Sequence, residues 1–183
     1  MTINQTKLII ISLLSLVRLP LAFAFSYLLI KQDLEKAFVM VLIAGLSDKL
    51  DGTIARKLGL GDSLWGRILD PLADRIFMVF AFGSFYFVNL EINVSSWVVF
   101  LTVVQDILLA PLGAYIFFKK RKPLGSPLGK PVTFYQYSFL ILVLALNLWR
   151  IEIDLLPLEL LLVVLNFSSA VHHVLLWLRE KQS

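Results

Sequence analysis

Six apolar stretches, at 8–30, 35–58, 65–89, 96–118, 132–149 and 156–178, fill most of this 183-residue chain, and nothing else in it restricts the fold as strongly. Each is about as long as a helix needs to cross the hydrocarbon of a bilayer. The chain is 58% hydrophobic with a mean hydropathy of +0.83, more apolar than a soluble core of this size requires. Inside lipid every backbone amide must be satisfied by the chain itself, which leaves helices or closed barrels. Stretches of this length are helical, so the fold class expected is all-α: an integral membrane bundle of six transmembrane helices, one domain over residues 1–183. The segments between them, "LGLGD" at 58–62, "NLEINVSS" at 89–96 and "RKPLGSPLGKP" at 121–131, carry the turn and breaker residues expected of loops. The first stretch contains "LAFAFS", but Arg18 interrupts its apolar run and five more stretches follow, so it reads as a retained helix rather than a cleaved signal. The chain has no cysteine, which excludes disulfides, thiolate metal sites and thiol nucleophiles.

Charge placement orients the bundle. With six spans both termini share a side, and that side receives Lys7, Arg56, Lys57, Arg67, Lys119, Lys120, Arg121, Lys122, Lys130, Arg179 and Lys181. The opposite loops hold Lys31, Lys36 and Arg150 against Asp33, Glu35, Glu91, Glu152, Asp154 and Glu159. Lysine and arginine bias sets topology, so the termini are expected on the cytoplasmic side of a multi-pass protein. The net charge of +4 then reports topology, and no nucleic-acid partner is expected.

Against this apolar background, "SDKLDGTIARKLGLGDSLWGRILDPLADR", residues 47–75, gathers acids in one place. Asp48 and Asp51 are three apart and Asp70 and Asp74 four apart, so each pair projects from one helical face. Carboxylates at a bilayer edge repel one another unless cations lie between them. Oxygen donors of this kind suit Mg2+ or Mn2+, two ions being plausible for four acids, and such ions share their coordination with substrate phosphates. Gly52, Ala55 and Gly66 lack bulky side chains near these acids, and Arg56 offers a fork that matches phosphate oxygens.

Written out, Asp48-x2-Asp51-Gly52-x2-Ala55-Arg56-x9-Gly66-x3-Asp70-x3-Asp74 resembles the signature of the CDP-alcohol phosphatidyltransferases, integral membrane enzymes with six helices. The resemblance covers eight fixed positions on two helices. It implies that Asp48, Asp51, Asp70 and Asp74 hold two divalent ions against the pyrophosphate of a CDP-linked lipid, with Asp74 also the general base. It further implies that Gly52, Ala55, Arg56, Ser63 and Gly66 line the cytidine diphosphate site, and that Ser12, Ser15 and Arg18 lie near the lipid phosphates. The activity implied is transfer of a phosphatidyl group from CDP-diacylglycerol to an alcohol with release of CMP, in phospholipid biosynthesis, by a homodimer. Gly129, Lys130, Thr133 and Gln136 resemble a pattern found in relatives that use glycerol phosphate and in cardiolipin-forming ones. Gln105-Asp106 stands where phosphatidylglycerophosphate synthases usually carry an arginine beside an acid, so Gln105 joins Lys130, Thr133 and Gln136 as a candidate acceptor contact. Glycerol 3-phosphate is the first expectation for the acceptor, with phosphatidylglycerol, as in CMP-forming cardiolipin synthases, the alternative.

A cation transporter or channel lined by the same acids is the rival of another class. It accounts for the aspartates but not for Arg56 or the small residues beside them. Lys49 and Lys57 read as snorkelling side chains, His172 and His173 as interfacial, and Asp62 as a helix cap.

Overall fold

Six helices and no strand occupy the described residues of the computed structural model: α1 (Ile3–Ile30), α2 (Leu34–Lys57), α3 (Gly66–Phe85), α4 (Ser96–Lys120), α5 (Gly129–Trp149) and α6 (Leu156–Gln182). The structure describes the backbone of residues 3–57, 66–120 and 129–182, and side chains over 17–47, 72–109 and 131–178. The helices form a closed ring: α2 packs on α1, α1 on α3, α3 on α4, α4 on α6, α6 on α5 and α5 back on α2, while α3 also touches α5 across the middle. Buried alanines make the close approaches possible, Ala22 on α1, Ala37 and Ala44 on α2, and Ala73 and Ala81 on α3. Aromatic rings fill the wider gaps, with Phe82 of α3 stacked on Phe139 of α5 at 6.3 Å between centroids.

Both short turns at one end close in the same way. After α1 the amides of Gln32 and Asp33 donate to the carbonyls of Leu29 and Leu28, and after α5 the amide of Ile151 donates to Leu146 O. Gln32 and Arg150 take left-handed φ values of 59° and 52°, the conformation of a helix-ending cap that glycine usually supplies. Asp33 then caps α2: its Oδ1 accepts from the Lys36 amide at 3.4 Å, and a side-chain hydrogen bond from Lys36 holds its carboxyl below the usual range.

The third helix ends at Phe85, four residues before the sequence predicts. Residues 86–95 leave it through a turn at 86–87 and a bend at 91–92, with Val88, Leu90, Ile92 and Val94 buried and the residues between them exposed. That alternation gives the connection one buried face. Asn147 fixes the segment at both polar groups of Ile92, accepting from its amide and donating to its carbonyl at 3.0 Å each. Glu159 accepts from the Ser95 amide and hydroxyl at 2.7 and 2.6 Å. Sequence placed Glu159 among the loop charges, whereas it is only 1% exposed and bridges α6 to the start of α4.

The surface is apolar and part of the interior is polar. Phe23, Phe100, Leu108 and Phe167 are each more than half exposed, while Arg18, Asp106, Gln136, Glu159 and Asn166 are buried. A water-facing surface rarely carries so much apolar area. Among the described residues Pro131–Trp149 and Leu156–Leu178 are long and apolar enough to cross a membrane, and Val17–Ile30 and Ser96–Leu109 are shorter apolar stretches.

Candidate active site

One aromatic level orders the sequence-predicted positions on α1, α2, α3 and α5. The rings of Phe77 (α3) and Tyr137 (α5) stack at 5.5 Å, Phe25 (α1) lies 5.9 Å from Phe77, and a Cβ on Gly45 (α2) would stand 3.8 Å from the Tyr137 ring. From this level α2 runs onward to Asp48, Asp51, Gly52, Ala55 and Arg56, and the antiparallel α3 runs back to Asp74, Asp70 and Gly66. On α1 the same direction leads to Arg18, Ser15 and Ser12, and on α5 to Gln136, Thr133 and Lys130. Helix register alone therefore brings both acid pairs, the arginines and the candidate acceptor contacts of α5 to the same end of the bundle.

The described side chains at that end meet directly. Arg18 Nη1 lies 3.0 Å from Asp74 Oδ1, with Arg18 1% and Asp74 18% exposed. A guanidinium this deeply buried is stabilised only beside an opposing charge. It ties α1 to α3 and fixes the carboxylate's position. One residue on, Arg75 Nη1 donates to Asp106 Oδ1 of α4 at 3.1 Å. Gln136 Nε2 of α5 donates to Asp106 Oδ2 at 3.2 Å and to Asn166 Oδ1 of α6 at 3.2 Å. Asn166 Nδ2 donates to Thr102 Oγ1 at 3.2 Å, and Gln105 Nε2 donates to the Asn166 carbonyl at 2.7 Å. Four helices thus converge on one buried carboxylate.

Asp74, Arg75, Gln105, Asp106, Thr133 and Gln136 line a narrow cleft of about 20 Å³, together with Met78, Val132 and Ser169. That is room for about one water molecule in its described part. Ser169 also accepts, at its carbonyl, a 2.8 Å hydrogen bond from His173 Nδ1. A larger depression of about 790 Å³ lies at the opposite end, between Glu91, Arg150, Glu152, Asp154 and Glu159. Glu159 is committed there to Ser95, and the depression lies at the other end of the bundle from the motif acids.

Of the residues singled out in sequence, Arg18, Asp74, Gln105, Thr133 and Gln136 have described side chains and stand together. Asp48, Asp51, Gly52, Ala55, Arg56, Gly66, Asp70, Ser12, Ser15 and Lys130 are placed by their helices, their side chains lying outside the described residues. Ser63 and Asp62 lie outside the described residues altogether. Sequence reasoning missed Arg75, Thr102 and Asn166, and did not rank Asp106 as a site residue. The signal available was Thr102 and Asp106 at i,i+4 on a helix that otherwise reads as lipid-facing.

The donor chemistry fits a hard divalent cation. Asp48, Asp51, Asp70 and Asp74 are all oxygen donors, spaced three and four apart on the two helices that flank α1, and the chain has no cysteine to favour a softer metal. Among the described residues no three carboxylate or imidazole groups gather, Asp74 being the one of the four acids with a described side chain.

A helical bundle with an apolar surface and with carboxylates, guanidiniums and amides gathered inside one end is the class that fold and site define. The chain belongs to the CDP-alcohol phosphatidyltransferases, whose family model matches residues 8–177. It is 33% identical over 166 residues to a CDP-diacylglycerol--glycerol-3-phosphate 3-phosphatidyltransferase of Aquifex aeolicus, covering 91% of this chain and 90% of that one. It is 32% identical over 116 residues to the human CMP-forming cardiolipin synthase, covering 63% of this chain and 36% of that protein. A putative cardiolipin synthase of Mycobacterium bovis is 37% identical over 103 residues, 54% of this chain and 46% of its own length.

Proposed function

We propose that this protein transfers a phosphatidyl group from CDP-diacylglycerol to an alcohol and releases CMP, with glycerol 3-phosphate as the first acceptor and phosphatidylglycerol as the alternative. The observation that carries the reading is the placement of both acid pairs, by helix register, at the end where Asp74 meets Arg18 and the polar cleft opens. The Aquifex relative, similar along nearly its whole length, supports glycerol 3-phosphate, and the cardiolipin synthases support the alternative.

In this reading Arg56 pairs with the donor's pyrophosphate and Arg18 orients the Asp74 carboxylate. Asp74 takes the proton of the acceptor hydroxyl. The acceptor oxygen forms a bond to the lipid-side phosphorus, the bond from that phosphorus to the CMP oxygen breaks, and CMP leaves with the electron pair. Magnesium or manganese, two ions held by Asp48, Asp51, Asp70 and Asp74, would supply charge neutralisation at the bridging and leaving oxygens. All six helices span the membrane with the site and both termini on the cytoplasmic side, a reading supported by the lysine and arginine bias and by the apolar surface. A homodimer is the assembly the family resemblance implies.

The test is CMP release by purified protein from CDP-diacylglycerol with glycerol 3-phosphate, phosphatidylglycerol, inositol, serine or choline. Release with one of the first two, lost in Asp74→Asn, supports the reading. Ion flux through reconstituted protein with no CMP from any acceptor would replace it with the transporter.

A further inference from the structure

The buried carboxylate of Asp106 poses a question that general-base chemistry at Asp74 leaves open. It is 4% exposed and receives Arg75 on one oxygen and Gln136 on the other, while Asn166, Thr102 and Gln105 brace Gln136 from behind. A buried ion pair is seldom the most stable filling for a helical core, since well-packed apolar residues of the same volume serve as well or better. This arrangement does something apolar packing cannot: it holds a guanidinium in a fixed place. Arg75 remains 22% exposed, directly follows Asp74 and lines the same cleft. Among the described residues its partner is Asp106, engaged through Nη1. Arginine carries five N–H donors in a planar fork, so the pairing leaves most of that fork to face an incoming anion.

We propose that Arg75 is an acceptor-binding residue that recognises the phosphate of the acceptor, with Asp106 and the amides behind it as positioning residues. The proposal rests on the phosphatidyl-transfer reading and names what that reading lacks. Helix α4 carries Gln105-Asp106 where the family resemblance implies an arginine beside an acid, and the structure brings the guanidinium to the same acid from α3 instead. An acceptor whose phosphate docks on Arg75 places its hydroxyl beside the adjacent Asp74. The shared chemistry is an anionic phosphate on an alcohol, either a water-soluble monoester or a lipid phosphodiester.

The experiment compares kcat/KM for glycerol 3-phosphate, for phosphatidylglycerol in mixed vesicles and for neutral glycerol, in the wild-type protein, Arg75→Lys and Arg75→Gln. The ratio of a phosphate-bearing acceptor to glycerol is expected to fall at least tenfold in Arg75→Gln, through KM of the acceptor, and by less in Arg75→Lys. The arm in which the ratio falls identifies monoester or diester. A merely structural arginine lowers all acceptors alike, and an unchanged ratio overturns the proposal. Phenylglyoxal labelling of Arg75 in the wild-type protein, read by peptide mass spectrometry, needs no variant and no turnover. Glycerol 3-phosphate or phosphatidylglycerol is expected to slow it severalfold where glycerol does not, and equal labelling with and without them overturns the proposal even if Arg75→Gln fails to fold. A wild-type protein that releases no CMP from any acceptor, yet is protected at Arg75, separates failure of the transfer reading from failure of this one.

Discussion

The two ends of the bundle spend similar polar residues on opposite tasks. At the end that joins α1 to α2, α3 to α4 and α5 to α6, Asn147 and Glu159 bond to Ile92 and to Ser95, almost entirely through the backbone. At the other end Arg18 faces Asp74 and Arg75 faces Asp106, side chain to side chain. Backbone partners complete the fold, because an amide or carbonyl buried in the bundle and left without a partner costs as much as a lost hydrogen bond. Charges that face one another fix a guanidinium or a carboxylate in place, where a ligand can be recognised. Burial alone does not tell the two ends apart: Glu159 and Arg18 are each 1% exposed. What distinguishes them is the partner.

Substitutions at the two ends therefore fail in different ways. The largest effect is expected from Asp74→Asn, which removes the base: CMP release falls on the order of 10³-fold, and thermal unfolding moves down as well because the buried Arg18 guanidinium loses its opposing charge. Glu159→Ala is expected to affect stability alone, destabilising the protein by about 2–3 kcal/mol because the Ser95 amide and hydroxyl lose a charged acceptor. A thermal-shift measurement in detergent reads that loss, and the KM for CDP-diacylglycerol in the surviving protein stays at the wild-type value. If Glu159→Ala altered donor KM, the division between ends would break. Arg56→Lys should raise donor KM about tenfold, the equivalent of about 1.4 kcal/mol and one charge-assisted contact, with the acceptor KM untouched. The smallest effect sharpens the comparison from the other side. Arg150→Gly relieves the left-handed φ of 52° and is expected to stabilise the protein by about 1 kcal/mol without touching activity.

Much of this was legible in sequence where a single helix carries the signal. The acid spacing 48, 51, 70 and 74 and the six helical stretches depend on local periodicity alone. The end of α3 was placed four residues late because Tyr86, Phe87 and Val88 are as apolar as the helix before them, whereas the loop that follows was marked by Asn89, Glu91 and Asn93. The caps at Gln32 and Arg150 were missed because glycine, the usual flag of a left-handed helix end, is absent there. The Arg75, Asp106, Gln136 and Asn166 network draws one residue from each of four helices, so no spacing along the chain encodes it. Glu159 counted as a loop charge until α6 placed it opposite Ser95.

The central claim is that α2 and α3 contribute to one shared divalent site rather than to two separate charged patches. Mn2+ binding measured by electron paramagnetic resonance in the presence of CDP, on the wild-type protein, Asp48→Ala and Asp70→Ala, tests it without any need for turnover. The account predicts two tightly held ions in the wild-type protein and severe loss of affinity in both variants, although they alter different helices. Unchanged Mn2+ affinity in either variant, with the other impaired, would contradict it.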